Sequence, residues 1–185
     1  IIDCGCFTAA ERERLADFLQ TNQLKPVALL DTHLHIDHIF GNAFMRDKYG
    51  LSARAHEGDA FWLADFDRYA GMFGVRGMTP PPTLGAYLQE GEIIRFGHSE
   101  LEVIHVPGHS PGGVCFYSRE AKLLVSGDVL FQGSIGRADL PGGNLKELTE
   151  GIREKLFTLP DDVTVIPGHG PCTTIGEEKR TNPFF

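Results

Sequence analysis

Short apolar runs alternate along the 185-residue chain with segments of helical spacing, and this alternation predicts an α/β fold. Residues 27–30 form one such run directly after Pro26, which is typical of a buried strand. Further strands are predicted at residues 92–96, 101–106, 114–117, 123–126 and 163–166. Residues 1–3 look like the end of another strand, so we expect further sequence before Ile1.

Helices are predicted between these strands. Thr8 and Glu11 have the spacing of a capping box, which begins a helix that extends to about residue 20. A second helix is expected over about residues 39–49, with Gly50 as its C-terminal stop. A last long helix begins at Asn144 and turns three apolar side chains inward: Leu148, Ile152 and Leu156.

Residues 57–87 form the least regular stretch, in which aromatic side chains crowd a helical segment before three prolines. Two interpretations stay open for the aromatic part: an ordinary helix packed on the sheet, and a lid that contacts a substrate. No repeat or linker interrupts the chain, so a single domain over residues 1–185 is predicted.

Composition narrows the classes of partner. The formal net charge is −8, with 17 basic and 25 acidic residues, so the surface repels phosphate backbones and argues against nucleic acid. No apolar run approaches the roughly 18 residues of a membrane span. The four cysteines are irregularly spaced and contain no C-x-x-C pair, which favours reduced thiols in a cytoplasmic protein.

The strongest chemical signal follows the strand at residues 27–30. Four potential metal ligands, His33, His35, Asp37 and His38, fall within six residues. Side chains at i and i+2 of an extended backbone point the same way, so His33 and His35 can bind one ion. Asp37 and His38 lie at the turn into the next helix and can face a second ion.

Three later residues share one placement at the end of a strand. His109, Asp128 and His169 each follow a predicted strand through a glycine. Ligands of open α/β sheets gather where strands end, and glycine allows the sharp turn there. The chain therefore offers five histidines and two aspartates, enough for two metal ions that share a carboxylate.

This set resembles the metallo-β-lactamase superfamily, and in particular its glyoxalase II-like hydrolases. The resemblance implies a four-layer αββα sandwich with the metal site at the top edge of the sheets, and it implies that an opening hairpin is missing from this chain. It assigns His33, His35 and His109 to one metal. It assigns Asp37, His38 and His169 to the other, with Asp128 as the bridging ligand.

Such a centre predicts a binuclear metal-dependent hydrolase. Imidazole and carboxylate donors suit zinc, with iron and manganese as alternatives. A hydroxide bridging the ions would attack the carbonyl of a small thioester or ester, and Asp37 would accept the proton. Two divalent ions against two carboxylates and one hydroxide leave a charge of about +1, which favours a small anionic substrate.

Residues 131–137 also resemble the glyoxalase II-like branch, and they provide Phe131 and Arg137 as candidate substrate contacts. For Arg137 two roles stay open: binding a substrate carboxylate, and bracing the loop by pairing with Asp139 or a backbone carbonyl. Asp31 is a candidate for orienting a ligand histidine.

Two departures and two alternatives limit the assignment. Only 16 residues follow His169, and the tyrosine that glyoxalase II places after this histidine is missing, so glutathione specificity is open. The alternative enzyme is a mononuclear iron persulfide dioxygenase on the same fold. A metal-stabilised binding module is the non-enzymatic alternative, and it is disfavoured because structural zinc sites are closed by four protein ligands.

Overall fold

The computed structural model describes residues 1–185, which divide into two compact units. The first unit comprises Ile1–Ala55 and Ala60–Tyr87, and the second comprises His56–Asp59 and Leu88–Phe185. None of the helices combines the length and the apolarity that crossing a membrane requires. All four cysteines are free thiols. The single domain over residues 1–185 stays a prediction.

Helices are the longest regular elements of the first unit. Its elements are α1 (Ala9–Thr21), β1 (Leu29–Leu30), α2 (Asn42–Tyr49), β2 (Ala53–Arg54), α3 (Phe61–Ala64) and α4 (Phe66–Met72). The strands β1 and β2 pair in parallel. The capping box is confirmed, because the Thr8 amide donates to Glu11 Oε2 and the Glu11 amide donates to Thr8 Oγ1.

Helix α2 begins three residues later than expected but ends as predicted. The Ile39 amide donates to the carbonyl of Ile36, three residues earlier, so residues 36–39 form a tight turn and not part of an α-helix. The Gly41 amide donates to the Cys4 carbonyl at 2.7 Å and so ties the helix start to the chain's first loop. Gly50 then ends α2 in the left-handed conformation, with φ at 69°.

The aromatic residues of α3 and α4 pack beneath the histidine-rich loop. Trp62, Phe66 and Tyr69 form one buried cluster with Leu34, Ile36 and Ile39. The Tyr69 hydroxyl also donates to the Leu34 carbonyl at 2.9 Å. This part of residues 57–87 is therefore packed structure, and its packing partner is the loop rather than the sheet that the sequence suggested.

The second unit is built on a six-stranded sheet. Its strands are β3 (Ile93–Phe96), β4 (Ser99–His105), β5 (Val114–Ser118), β6 (Leu123–Gly127), β7 (Leu130–Phe131), β8 (Ser134–Ile135), β9 (Thr164–Pro167) and β10 (Thr173–Thr174). The sheet order is β10-β9-β6-β5-β4-β3, with only β6 and β9 parallel, while β7 and β8 form a separate hairpin. The predicted strands are thus found within one or two residues of their expected bounds.

Helices complete the core of this unit. They are α5 (Leu145–Gly151), a π-helical continuation (Ile152–Leu156) and α6 (Ile175–Thr181). Leu148, Ile152 and Leu156 are fully buried in the same cluster as Val106 and Val165, which confirms the predicted inward face. Asn144 caps α5 by accepting from the Lys146 and Glu147 amides.

We expect Leu148→Ala to lower the free energy of unfolding by about 2–5 kcal/mol, because it leaves a cavity in a fully buried cluster. Leu145→Ala is the matched control on the same helix, since Leu145 is 53% exposed, and its effect should stay within about 0.5 kcal/mol. Urea denaturation of both variants measures the difference. Equal effects would contradict the assigned inward face of α5.

Candidate metal centre

The histidine loop, residues 33–38, gathers four donor groups within the first unit. It follows β1, where the Asp31 amide still bonds to the Arg54 carbonyl at 2.9 Å before the chain turns. A donor atom of His33 lies within 4.8 Å of one on His35 and of one on His38. His38 Nε2 lies 3.8 Å from Asp37 Oδ2. The three imidazoles are buried, whereas the Asp37 side chain is 45% exposed.

A carboxylate near the start of the chain holds this loop. Asp3 Oδ1 accepts from the Thr32 amide at 2.7 Å, and Asp3 Oδ2 accepts from the Thr32 hydroxyl at 2.7 Å. The same Oδ2 lies 2.9 Å from His38 Nδ1. The Thr32 hydroxyl in turn lies 3.0 Å from His33 Nδ1. One side chain thus reaches two of the loop's histidines, one directly and one through Thr32.

These contacts determine which ring nitrogen of each histidine carries the proton. A carboxylate only accepts, so His38 Nδ1 is the donor to Asp3. The Thr32 hydroxyl donates its only hydrogen to Asp3, so it must accept from His33 Nδ1. Both imidazoles therefore keep the Nε2 lone pair, which is the arrangement that metal-binding histidines adopt in proteins.

A second cluster lies in the second unit, at three strand ends. Asp128 Oδ2 is 3.6 Å from His109 Nε2 and 3.6 Å from His169 Nε2. Gly108, with φ at 129°, and Gly127, with φ at 48°, make the turns that place His109 and Asp128. One carboxylate oxygen therefore lies equally close to two imidazoles that follow different strands.

Residues 136–137 fix the His109 ring. His109 Nδ1 donates to the Arg137 carbonyl at 2.7 Å, so Nε2 is again the nitrogen with the free lone pair. A Cβ at Gly136 would collide with the Asp128 carbonyl oxygen and lie 3.0 Å from the His109 ring. Only glycine allows this close approach.

The Arg137 side chain has a partner in the loop. Its guanidinium makes two hydrogen bonds of 2.6 Å to the Asp139 carboxylate. These bonds lower the pKa of Asp139 to about 2. Of the two roles considered, the structure shows the bracing pair, and a substrate contact from Arg137 stays a prediction. Phe131, in β7, is partly exposed and likewise stays a predicted contact.

Asp31 has a different partner from the one we expected. Its Oδ2 accepts from Asn42 Nδ2 at 2.7 Å, deep in the protein. Burial, together with the charge of Asp3, raises the pKa of Asp31 well above its usual value. The carboxylate that bonds to His38, and to His33 through Thr32, is that of Asp3, for which the sequence did not predict this role.

The two clusters fit metal ions by their chemistry. They offer imidazole nitrogens and carboxylate oxygens, the donors that zinc, iron and manganese accept. In His33, His38 and His109, Nδ1 is engaged in a hydrogen bond, so Nε2 is the nitrogen that can bind a metal ion. These features define a metal-binding α/β protein.

Comparison with known proteins identifies the family. The family model of the Metallo-beta-lactamase superfamily matches residues 1–169, and the chain belongs to this superfamily. It is 40% identical to hydroxyacylglutathione hydrolase GloC of Haemophilus influenzae, over 100% of this chain and 86% of that protein. It is 41% identical to the probable metallo-hydrolase YqgX of Bacillus subtilis, over 95% of this chain and 83% of that one.

A solved structure confirms the fold. The crystal structure of TTHA1623 in a di-iron-bound form is 40% identical and superposes with a TM-score of 0.87, covering 100% of this chain and 88% of that one. The α/β metallo-β-lactamase fold implied by the sequence resemblance is therefore confirmed. Membership also makes the protein a metal-dependent hydrolase of this superfamily.

We expect Asp3→Asn to weaken metal binding by about 10–100-fold, because it removes the charge that orients His38 and Thr32. Asparagine tolerates the left-handed conformation of residue 3, where φ is 48°, so the backbone is kept. Competition with a chromogenic chelator measures the affinity. Asp17→Asn, on the exposed face of α1, is the control. Equal affinities of both variants would contradict the role of Asp3.

Proposed function

We propose that the histidine loop and the second cluster together hold two divalent metal ions, and that the protein hydrolyses small thioesters or esters. His33, His35 and His109 would bind one ion, and Asp37, His38 and His169 the other. The observation that carries the proposal is Asp128 Oδ2, which lies 3.6 Å from both His109 and His169. Since those two imidazoles would bind different ions in this assignment, Asp128 is suited to bridge the two ions.

Zinc is the metal that we propose, in keeping with the imidazole-rich donor set. The di-iron form of TTHA1623 supports a binuclear centre and makes iron the principal competitor, because that protein is 40% identical to this chain. Ligand type does not separate the two metals. Metal analysis of the purified protein therefore tests the identity separately from the number of ions.

Bound divalent ions supply an activated water near neutral pH and polarise a carbonyl oxygen. The chain's own residues hold the geometry for that chemistry. Asp3 and the Arg137 carbonyl keep the imidazoles in the tautomer that presents Nε2. The Asp37 carboxylate is the most exposed donor of the histidine loop, so it can accept the proton released on attack at the carbonyl.

The thioester class is supported by the likeness to hydroxyacylglutathione hydrolase GloC, which spans the whole chain. A small anionic substrate fits the charge balance of two divalent ions against two carboxylates and one hydroxide, about +1. We propose a cytoplasmic location for this activity, with no nucleic acid or membrane partner. Whether glutathione forms part of the substrate is decided by the choice of thioesters in the assay.

We expect the zinc-loaded protein to release free thiol from a panel of acyl thioesters that includes a 2-hydroxyacyl-glutathione. Asp128→Ala should lower kcat by at least about 100-fold, because it removes the shared carboxylate while the buried cores stay intact. Asp162→Ala is the control, since Asp162 is exposed and pairs with Lys122. Circular dichroism checks the fold of both variants.

A wild-type protein that cleaves no thioester would contradict the substrate class. One bound iron per chain, with oxygen uptake in the presence of a persulfide, would instead favour the dioxygenase alternative. Loss of folding on metal removal, without any activity in the loaded protein, would favour a structural metal site.

A further inference from the structure

The ring of His35 packs against an aromatic side chain of α3. Its centroid lies 5.3 Å from that of Trp62, with the ring planes at 73°, so one ring meets the other by its edge. The His33 ring lies on another side of His35, at 4.6 Å and 84°. His33 and His35 are the two donors that the histidine loop offers to the first of the proposed ions. Trp62 is therefore a ring neighbour of a candidate metal ligand.

Tyr69 holds the backbone between these two histidines. Its hydroxyl donates to the Leu34 carbonyl at 2.9 Å, and both residues are buried. A peptide unit is planar, so the Leu34 carbonyl and the His35 amide lie in one rigid plane. A hydrogen bond that fixes the carbonyl oxygen therefore also fixes the direction in which the backbone enters His35, and with it the direction of the His35 side chain.

Trp62 and Tyr69, the aromatic pair, also hold each other. Their ring centroids lie 4.5 Å apart, with the planes tilted by 35°. Phe66 meets the Tyr69 ring edge-on, at 6.2 Å and 78°. Both members of the pair are buried, so close packing restricts their rotamers. The aromatic pair is thus a rigid support for the peptide plane before His35 and for the His35 ring.

Packing alone does not explain the Tyr69 hydroxyl. The ring belongs to an apolar cluster with Leu34, Ile36 and Trp62, in which a phenylalanine of the same shape would bury no polar atom. A buried hydroxyl stabilises such a place only through a hydrogen bond. The bond at 2.9 Å goes to the carbonyl that lies between two candidate metal ligands, so it acts on the metal-binding part of the loop.

We propose that Trp62 and Tyr69 are positioning residues of the metal centre, which hold His35 in its binding direction and so strengthen the binding of the ion shared by His33 and His35. This inference deepens the proposed function, because it rests on the assignment of those two histidines to one ion. A donor that is already held in its bound direction loses less conformational freedom when the ion binds, so the affinity is higher.

The test isolates each ion by removing one ligand of the other. His169→Ala leaves the first ion, and His35→Ala leaves the second. In the His169→Ala background, Tyr69→Phe should weaken zinc binding about tenfold, because it deletes only the hydroxyl that holds the Leu34 carbonyl. In the His35→Ala background, the same change should alter the affinity less than about twofold, because the side chain that Tyr69 positions is gone. Competition with a chromogenic chelator measures both affinities.

Tyr117→Phe is the matched control. Tyr117 is also 3% exposed, but it packs in the core cluster of the second unit. The loss of its hydroxyl should therefore change neither affinity by more than about twofold. Urea denaturation checks that both tyrosine variants stay folded.

The role of Trp62 is tested by a conservative and a non-aromatic substitution. In the His169→Ala background, Trp62→Leu should weaken zinc binding about fivefold, because it removes the ring beside His35. Trp62→Phe keeps an aromatic edge at this place and should restore most of the affinity. A Trp62→Phe variant as weak as Trp62→Leu would contradict the role of Trp62.

Two outcomes separate this inference from the proposed function. Equal weakening of both ions by Tyr69→Phe, or no weakening of the first, would overturn the inference and leave the proposed function standing. A protein that binds zinc in the predicted pattern but cleaves no thioester would contradict the proposed function and leave the positioning role supported.

Discussion

The carboxylate of Asp3 is the contact on which the histidine loop depends. Buried imidazoles bind metal only when the correct nitrogen carries the lone pair, and Asp3 fixes this for His38 directly and for His33 through Thr32. The backbone of residue 3 adopts φ of 48° in doing so, a conformation that aspartate tolerates better than most residues. The same Asp3 carboxylate therefore holds the backbone of the loop at Thr32 and determines which nitrogen of its histidines can bind metal.

The parts of the structure that depend on local pattern were predictable from the sequence. Apolar runs located five of the six strands of the sheet, all except the two-residue β10, and the capping box at Thr8 located α1. The metal-binding motif at residues 33–38 was recognisable because its four donor groups fall within six residues. Asp3 was missed as an orienting group because its partners, Thr32 and His38, lie 29 and 35 positions further along the chain. Asp31, which is closer to the motif, bonds to Asn42 instead. Long-range hydrogen bonds have no local signature.

The aromatic residues illustrate the same limit. Trp62, Phe66 and Tyr69 lie in a stretch for which the sequence left a packed helix and a lid both open. Only the tertiary structure shows that they pack against the histidine loop. Family membership adds the reaction class, metal-dependent hydrolysis, which no local pattern of residues shows.

The central claim is that the seven donors hold two ions that share Asp128. Anomalous diffraction from crystals of the metal-loaded protein, recorded at the zinc and iron absorption edges, tests it most directly. The account predicts two peaks per chain, one among His33, His35 and His109, the other among Asp37, His38 and His169, with the Asp128 carboxylate contacting both. A single peak, or peaks away from these side chains, would contradict it.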